Sequence, residues 1–355
     1  MFLALKEMKR AKLRYILLSL IMISILFLVF FMTGLANGLS FADSSSLQKI
    51  KGDYIVTNKE AEGAVINSEL SKEQLKEISN SLEEPTSPLA LTMSTIAGKT
   101  NQKDTDMIYF SVDPEHYGDL NITEGKNISD ITDKEVLVNK SFKEDGYELN
   151  DQLVDESTGE TMTIAGFIEN QTYSFLPVVY SDIDSEFQPT QGSEIMYNAI
   201  VYNGPKMDIK GYDTSTNDEI VQSMPGYSET QGSFNVMKAF MFIISAFVST
   251  VFFYVLTIQK TNQFGILKAM GATTSYISTS IVTQVLLLTL ISLSVSVLAV
   301  AGMAQVLPEG IPFQASVSLV LGTGALFIIL NLAGSLLSLY KVTKIDPLEA
   351  IGRSE

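Results

Sequence analysis

Few side chains in this sequence could carry out catalysis. Its 355 residues include one histidine and no cysteine, which excludes disulfides, thiolate metal sites, cysteine nucleophiles and multi-histidine metal centres. No phosphate-binding P-loop, Gly-x-Ser-x-Gly elbow or dinucleotide fingerprint occurs. His116 lies in an acidic, turn-like stretch, where a solvated surface histidine is the ordinary outcome and a pH sensor or ligand the alternative. The residue types therefore predict a non-catalytic chain.

Acidic side chains offer a second kind of chemistry, the binding of cations. Asp104 and Asp106, and likewise Asp182 and Asp184, lie two residues apart, but no calcium-loop spacing occurs. Scattered carboxylates also keep an exposed domain soluble without binding any ligand. No resident metal site is predicted, although a cationic ligand of the acidic surface stays open.

Charge and apolar character are segregated along the chain. The net charge is −16, from 40 acidic and 24 basic residues, yet the mean hydropathy is slightly positive at +0.21. Residues 36–236 hold 35 acidic and 13 basic side chains, and the flanking sequence is apolar and weakly basic. Binding of duplex nucleic acid is excluded, because neutralising phosphates needs clustered cations. We expect a large acidic domain inserted between membrane spans.

Four stretches are long and apolar enough to cross the hydrocarbon core, which takes about 20 residues. We predict transmembrane helices at 15–35, 237–258, 275–306 and 317–340. A cleaved signal peptide is the alternative for the first, because basic residues precede it and small residues follow it. Its apolar core exceeds the roughly 7–15 residues of a signal peptide, so we expect it to be retained.

Lysine and arginine near the span ends predict the orientation. The basic residues cluster in three segments, 1–14, 259–274 and 341–355, which we place in the cytoplasm with both termini. The loop 307–316 carries only Glu309 and, with the domain 36–236, is placed outside. Lys238 is the exception, and its long side chain can reach the outer interface.

The inserted domain shows a mixed pattern that predicts an α+β fold. Ser71 and Gln74 form a capping-box pattern at the start of an amphipathic helix. Short β-rich runs predict strands; they are 54–57, 135–138, 152–154, 161–165, 175–180 and 199–202. The fold class is therefore a membrane protein with four transmembrane helices and a large extracellular α+β domain between the first two.

The loop between the second and third spans has the pattern of a short amphipathic helix that ends at Gly271. Its apolar residues are Phe264, Ile266, Leu267 and Met270, set against Lys260, Gln263 and Lys268. Such a helix either anchors at the membrane surface or docks into a cytoplasmic partner. Within the spans, Gln284 and Asn331 are interpreted as interhelical hydrogen-bonding groups. Apart from Lys238 at the outer end of the second span, the predicted spans hold no acidic or basic residue, which disfavours ion-coupled transport.

Three motifs resemble the FtsX/MacB-type ABC transporter permeases. They are Gly265-Ile-Leu-Lys-Ala-Met-Gly-Ala272, Lys344-Ile-Asp-Pro-Leu-Glu-Ala-Ile351 after the last span, and the basic opening from Leu5 to Tyr15. The layout of one span, a large outer domain and three spans is also similar. One departure is Gln263, where many members carry an acidic residue. The resemblance implies that a separate cytoplasmic ATPase binds Mg-ATP and drives the permease by mechanotransmission. It also implies the ATPase-coupling residues, which are Gln263, Phe264, Gly265, Ile266, Leu267, Lys268 and Met270.

Within that family, the outer domain's size and the segment Phe252–Lys260 are most similar to hemin-efflux permeases of Gram-positive bacteria. This similarity implies a plasma-membrane homodimer that works with two ATPase subunits and removes hemin from the membrane lipid. Heme would then be the substrate, and the chain would hold no cofactor of its own. Aromatic, methionine, tyrosine and lysine side chains could hold the ring, the iron and a propionate. The candidates are Phe31, Met32, Tyr173, Phe234, Met237, Lys238, Phe240 and Met241.

Two other functions fit the same layout. The first is an FtsX-like signalling permease that regulates an extracellular cell-wall hydrolase. The second is resistance to antimicrobial peptides, which the acidic domain could attract by charge.

Overall fold

The computed structural model of the chain describes residue 6 and residues 10–82, 84–99, 103–114, 120–185, 196–308 and 311–343, with the backbone alone for 336–343. His116, Glu309, the segment 344–351 and most of the first nine residues lie outside this description. The chain divides into two compact units. The membrane unit comprises Met1–Gly38 and Ser233–Glu355, and the sheet domain comprises Leu39–Gly232.

The membrane unit is built on four long apolar helices. They are α1 (Lys12–Gln48), α5 (Tyr227–Gln259), α7 (Thr274–Ala304) and α8 (Val317–Thr343), and each is apolar enough over 18 residues to cross a membrane. Two of these helices extend well beyond the predicted spans: α1 continues 13 residues past position 35, and α5 begins 10 residues before 237. The ends of the apolar runs therefore do not coincide with the ends of the helices.

Helix α6 (Thr261–Ala269) connects α5 to α7. It ends at Ala269 with Met270 as its C-cap, and the next residue, Gly271, has a φ of +93°, a conformation that glycine adopts without steric strain. Thr273 then caps α7 by accepting a hydrogen bond from the Tyr276 amide, at 3.2 Å. The glycine and the capping threonine thus lie in a connection of four residues, 270–273, between α6 and α7.

Side chains from all four long helices form the apolar core of the membrane unit. Its buried members include Leu18 and Phe30 of α1, Phe253 of α5, Leu288 of α7 and Phe327 of α8. Small residues let the backbones approach closely: a Cβ on Gly334 of α8 would lie 2.1 Å from Thr250 Oγ1 of α5. The opposite surfaces of α1 and α5 expose large aliphatic and aromatic residues, as expected for helices surrounded by lipid.

The sheet domain is a mixed sheet covered by short helices. Its strands are β1 (Tyr54–Asn58), β2 (Thr86–Ile96), β3 (Thr105–Val112), β4 (Ile122–Gly125), β5 (Glu135–Asn139), β6 (Gln152–Val154), β7 (Thr161–Ile168), β8 (Thr172–Tyr173), β9 (Leu176–Asp182), β10 (Ala199–Tyr202) and β11 (Tyr212–Ser215). Among the described residues the order is β11-β1-β10-β2-β3-β9-β5-β7-β4, with β6 on β7 and β8 on β9. The β3–β9 and β5–β7 pairs are parallel, and the other pairs are antiparallel.

The middle of the sheet is buried on both faces. Ile108 and Phe110 of β3 belong to one apolar cluster, whereas Met107 and Tyr109 belong to another on the opposite side. A strand covered on both sides carries a continuous apolar run instead of an alternating one. This explains why β3 was not among the predicted strands. Its partner β2, which pairs with it over eight residues, was also not predicted, although part of β2 is exposed.

Within its described residues the domain also contains three short α-helices: α2 (Lys72–Ser81), α3 (Ser141–Glu144) and α4 (Asn217–Gln222). The predicted capping box at α2 is confirmed, because Ser71 and Gln74 exchange hydrogen bonds of 2.8 and 3.3 Å. Thr216 and Glu219 form a second capping box at α4. These reciprocal bonds satisfy amide donors that a helix N-terminus otherwise leaves without a partner.

Candidate functional site

Helix α6 has two different faces, and the inner one anchors it to the membrane unit. The Phe264 side chain is 1% exposed and lies among Phe253, Ile281 and Leu288. Gly265 is also buried, and Leu267 packs against the same core while half-buried. Phe264 is therefore an anchor for α6 and not part of its free surface.

The outer face of α6 presents two large apolar residues to the surroundings. Ile266 is 50% exposed and Met270 is 71% exposed, and they lie one helical turn apart. Gln263 is exposed beside them, and Lys268 is half-buried. An exposed apolar pair on a short helix is the feature that a protein partner would cover.

The predicted grouping of residues on this helix is wrong in two respects. Phe264 does not share a face with Ile266 and Met270, because residues two or six positions apart point to different sides of an α-helix. Lys260 was grouped with the solvated polar face, but its side chain is buried, with 7% exposed. The order of apolar and polar residues in a nine-residue helix does not show which of them face the core and which face outward.

Lys260 lies in a polar cluster inside the membrane unit. Its Nζ donates to the Tyr15 hydroxyl at 2.6 Å and to Gln284 Oε1 at 3.1 Å, and the Tyr15 hydroxyl donates to the same Oε1 at 2.7 Å. The ammonium also lies 5.3 Å from the centre of the Tyr15 ring. The cluster joins α1, α7 and the residue between α5 and α6. Gln284 thus forms the kind of interhelical bond that the sequence predicted.

A cavity of about 20 Å³ adjoins the polar cluster. Lys260, Gln284 and Phe264 line it, together with apolar residues of α5 and α7. That volume is about what one water molecule needs, and the lysine and glutamine supply polar partners for it. The region beneath α6 is therefore polar and incompletely filled.

Other polar groups inside the bundle have less complete hydrogen bonding. Asn331 of α8 is buried, and neither of its amide atoms has a hydrogen-bond partner among the described residues. The hydroxyls of Ser249 and Thr289 are in the same situation. The interhelical bond predicted for Asn331 is therefore not formed within the described chain.

The candidate hemin residues near the ends of the first two spans are only partly gathered by the structure. Phe31 stacks between Phe27, at 5.9 Å, and Phe313, at 5.6 Å between ring centres. Met32 is half-buried on α1. The candidates on α5 are the exposed Phe240 and four half-buried residues, which are Phe234, Met237, Lys238 and Met241. Phe313, which the sequence reasoning did not select, is thus the aromatic contact of Phe31.

Tyr173 is the one candidate that belongs to the sheet domain. Its side chain is 1% exposed and packs edge-on against Phe110, at 5.9 Å between ring centres. Burial and the nearby Asp43 carboxylate raise the pKa of Tyr173, so the phenol holds its proton. The hydroxyl has no hydrogen-bond partner among the described residues. As it stands, Tyr173 is inaccessible to a ligand as large as heme.

Groups of three or more metal-ligating side chains do not occur in the described part of the chain. The Asp182 carboxylate accepts a hydrogen bond from the Asp184 amide at 2.9 Å, which is a local turn contact. Asp106 accepts from the Thr95 hydroxyl across the β2–β3 pair, at 2.8 Å. These carboxylates bond to their own neighbours.

Comparison with known proteins identifies the family. The model of the FtsX-like permease C-terminal domain matches residues 235–347. The putative hemin transport system permease protein HrtB of Staphylococcus epidermidis is 31% identical over 359 residues, which is 99% of this chain and 99% of that protein. The protein of the same name from Staphylococcus haemolyticus is 29% identical over 370 residues and covers 100% of both chains.

Two solved structures show limited similarity. The periplasmic region of MacB from Actinobacillus actinomycetemcomitans has a TM-score of 0.36 and 10% identity, covering 50% of this chain and 94% of that one. The extracellular domain of the ABC-type transporter YknZ has a TM-score of 0.30 and 14% identity, covering 44% and 78%. The similarity to the Staphylococcus epidermidis protein extends over nearly the full length of both chains, and the C-terminal domain model also matches. This multi-pass membrane chain therefore belongs to the FtsX-like permeases of ABC transporters.

Proposed function

We propose that this chain is the permease subunit of an ABC transporter that exports hemin from the membrane, driven by a separate ATPase. The observation that carries the proposal is the 31% identity to a putative hemin transport permease over 99% of both chains. A relationship that includes the sheet domain as well as the spans supports a shared substrate more strongly than a match to the spans alone.

The outer face of α6 supports the coupling part of the proposal. Ile266 and Met270 form an exposed apolar pair on a helix whose other face is anchored by Phe264. An ATPase subunit that buried this pair could displace α6 on binding ATP, and the anchor would pass that displacement to the spans. ATP and magnesium would bind to the partner subunit, and a homodimer of permeases with two ATPases completes the proposed assembly.

The orientation follows from charge and is part of the same proposal. The basic segments at both termini and at Lys260–Lys268 would face the cytoplasm, and the acidic sheet domain would lie outside. The α6 surface is then on the same side as ATP. Opening between spans would release hemin at the outer surface without a polar channel through the bilayer.

The proposed hemin contacts lie near the outer ends of the first two predicted spans, 15–35 and 237–258. Phe31, stacked on Phe313, and the exposed Phe240 offer flat apolar surfaces for the porphyrin. Met237 and Met241 carry thioethers that can ligate iron, and Lys238 offers a charge for a propionate. Tyr173 is the weaker candidate, because its buried, protonated phenol must first be uncovered.

The test uses full-length protein in nanodiscs, titrated with hemin and followed by the Soret absorbance. The Phe240→Ala variant should weaken hemin binding, and Met237→Leu with Met241→Leu should change the Soret position. Phe247→Ala is the matched control, because Phe247 is an equally exposed phenylalanine two turns further along α5. It should bind hemin like the unmodified protein.

A deletion strain provides the functional arm of the test. Loss of the gene should reduce growth in hemin, and the unmodified gene should restore it. Unchanged hemin tolerance together with an unshifted Soret band would refute the hemin proposal. Copurification of a cell-wall hydrolase would then favour signalling, and sensitivity of the deletion strain to cationic peptides would favour peptide resistance.

A further inference from the structure

We infer that Lys260 is a positioning residue that holds the junction between α5 and α6 against α1 and α7. Its role is to pass movement of α6 to those spans instead of letting the movement be absorbed by bending at the junction. The inference rests on the proposed coupling of α6 to an ATPase, but it does not depend on which substrate is carried.

The junction consists of one residue. Helix α5 ends at Gln259, and α6 begins at Thr261. The Lys260 amide donates to the Thr257 carbonyl at 3.1 Å, and the Lys260 carbonyl accepts from the Phe264 amide at 3.0 Å. Its backbone closes one helix and opens the next, so a force on α6 would bend the chain at this position.

The side chain of Lys260 holds this junction against α1 and α7. A lysine at the edge of a membrane ordinarily extends its ammonium to water, because removing the charge from water is costly. Here the ammonium enters the unit and bonds to Tyr15 and Gln284, at 2.6 and 3.1 Å. Tyr15 and Gln284 are themselves joined at 2.7 Å, so the three groups form a closed triangle.

The triangle connects three separate elements at one point. Tyr15 belongs to the first turn of α1, and Gln284 lies in the third turn of α7. Hydrogen bonds from a charged donor in a poorly solvated site are stronger than those at a surface. Together with the buried Phe264 ring, they fix α6 to α1 and α7 at two points, its N-cap Lys260 and Phe264 one turn later.

The small cavity beside the triangle is consistent with side chains at this site moving during transport. A cavity of about 20 Å³ leaves room for Phe264 or Lys260 to shift without expelling a neighbouring side chain. Around the cavity, the buried side chains of α1, α5, α7 and α8 form one continuous apolar cluster that could transmit a shift. Lys260 thus lies where a displacement of α6 meets the spans that must respond.

The experiment measures movement in α1 when the ATPase binds nucleotide. The chain has no cysteine, so a Leu20→Cys substitution on the exposed face of α1 gives a single site for a spin label. The full-length permease and its ATPase are assembled in nanodiscs without hemin. The line shape of the label is recorded before and after ATP with vanadate, and ATP hydrolysis is measured in parallel.

We expect a nucleotide-dependent change in the starting protein and its loss in Lys260→Met, with ATP hydrolysis retained. Lys260→Arg, which keeps the charge and the donors, should restore part of the change. Arg14→Met is the matched control, because it removes an exposed charge next to Tyr15, and it should leave the change intact. An unaltered change in Lys260→Met, or no change in the starting protein, would overturn the inference.

The Tyr15→Phe variant distinguishes a positioning role for Lys260 from a purely structural one. This variant keeps the ring and its packing and removes only the hydroxyl. A positioning role predicts a smaller nucleotide-dependent change at a temperature well below the unfolding midpoint, and the double variant with Lys260→Met should be no worse than Lys260→Met alone. An unaltered nucleotide-dependent change in Tyr15→Phe, despite the lower midpoint expected when a buried ammonium loses a partner, would count against positioning. Failure of hemin export with intact label movement would refute only the proposed substrate.

Discussion

A single buried carboxylate organises one edge of the sheet domain. Asp155 is fully buried and accepts hydrogen bonds from the Tyr109 hydroxyl, at 2.9 Å, and from the Ser157 and Thr158 amides, at 2.8 and 3.1 Å. Burial opposes its ionisation, but hydrogen bonds from Ser94, Tyr109 and the two amides outweigh burial and hold the pKa of Asp155 below its usual range. Asp155 is therefore a source of pH-dependent stability.

We predict that Asp155→Asn lowers the stability of the sheet domain at pH 7 by about 2 kcal/mol, because charged hydrogen bonds are replaced by weaker ones. A carboxylate with a lowered folded pKa stabilises the fold above its unfolded pKa of about 3.9 and stops doing so as the pH falls through the folded value. The difference between variant and parent should therefore shrink at pH 3. Thermal unfolding followed by circular dichroism at both pH values measures it.

Asp208→Asn is the control for this prediction, because Asp208 is exposed. It should change the unfolding midpoint little at either pH. If Asp155→Asn and Asp208→Asn behaved alike at pH 7, the bonds to Asp155 would contribute no net stability.

Two glycines of α1 could be interpreted from the sequence either as part of a signal-peptide cleavage site or as a close packing contact. Gly34 and Gly38 belong to the small-residue stretch that, by itself, also fits a signal-peptide cleavage site. In the structure α1 continues through both, and they receive the loop that connects α7 to α8. The Gly34 carbonyl accepts a hydrogen bond from the Gln314 amide at 3.0 Å, and a Cβ on Gly38 would lie 2.2 Å from the Pro312 carbonyl oxygen.

We predict that Gly38→Ala destabilises the membrane unit by about 2 kcal/mol, the usual size of an overpacking penalty. Its Cβ would meet backbone atoms of Pro312 and Phe313, which cannot rotate away. Gly302→Ala is the matched control in α7, because nothing lies within 4 Å of its added Cβ. That variant should be neutral or slightly stabilising. The two variants are compared by their thermal unfolding midpoints in detergent, measured with a dye that binds exposed apolar surface and does not react with thiols. Equal midpoints would contradict the packing argument.

At the scale of elements, α6 is a helix with one face committed to its own chain. The inner face is Phe264 and Gly265, and the free face is Ile266 and Met270. Substitutions on the two faces should therefore have separable effects.

We predict that Ile266→Asp and Met270→Asp each weaken binding of the ATPase subunit at least about tenfold, because each places a charge in an apolar contact. The unfolding midpoint of the permease should not change. Phe264→Ala should instead lower that midpoint, at a cost of about 3 kcal/mol for the cavity it leaves. Binding is measured by interferometry with the permease in nanodiscs.

Val306→Asp is the control, since Val306 is exposed just after the opposite end of α7. It should leave ATPase binding unaltered. Equal loss of binding in Val306→Asp and Ile266→Asp would show that the effect comes from charge in general and not from the α6 surface.

At the scale of the whole molecule, the distribution of charge predicts which loops share a side of the membrane. A chain without cysteine allows this to be measured one position at a time. We predict that Asn203→Cys, exposed in the sheet domain, reacts with a membrane-impermeant maleimide in intact cells. Asn262→Cys, exposed on α6, should react only after the cells are opened. Labelling of Asn262→Cys in intact cells would refute both the orientation and the coupling to a cytoplasmic ATPase.

Much of this architecture could be predicted from the sequence, because it depends on local composition. Hydrocarbon thickness requires long apolar runs, and these marked all four long helices and the acidic insertion between the first two. The capping box at Ser71 and the edges of several strands were likewise readable, since hydrogen bonds to the nearest amides and alternation on a half-exposed sheet are properties of adjacent residues. The Gly265–Ala272 motif indicated the family.

Tertiary structure alone decided what long-range contacts control. The central strand β3 is buried on both faces, so its sequence carries no alternation to detect. The strand order depends on hydrogen-bonded pairing between strands that are distant in sequence, and the pattern of adjacent residues does not specify that pairing. Lys260 looked like a solvated loop residue until Tyr15 and Gln284, 245 and 24 residues away, were found bonded to it. A buried charge requires partners supplied by other helices, and only the folded chain brings those partners together.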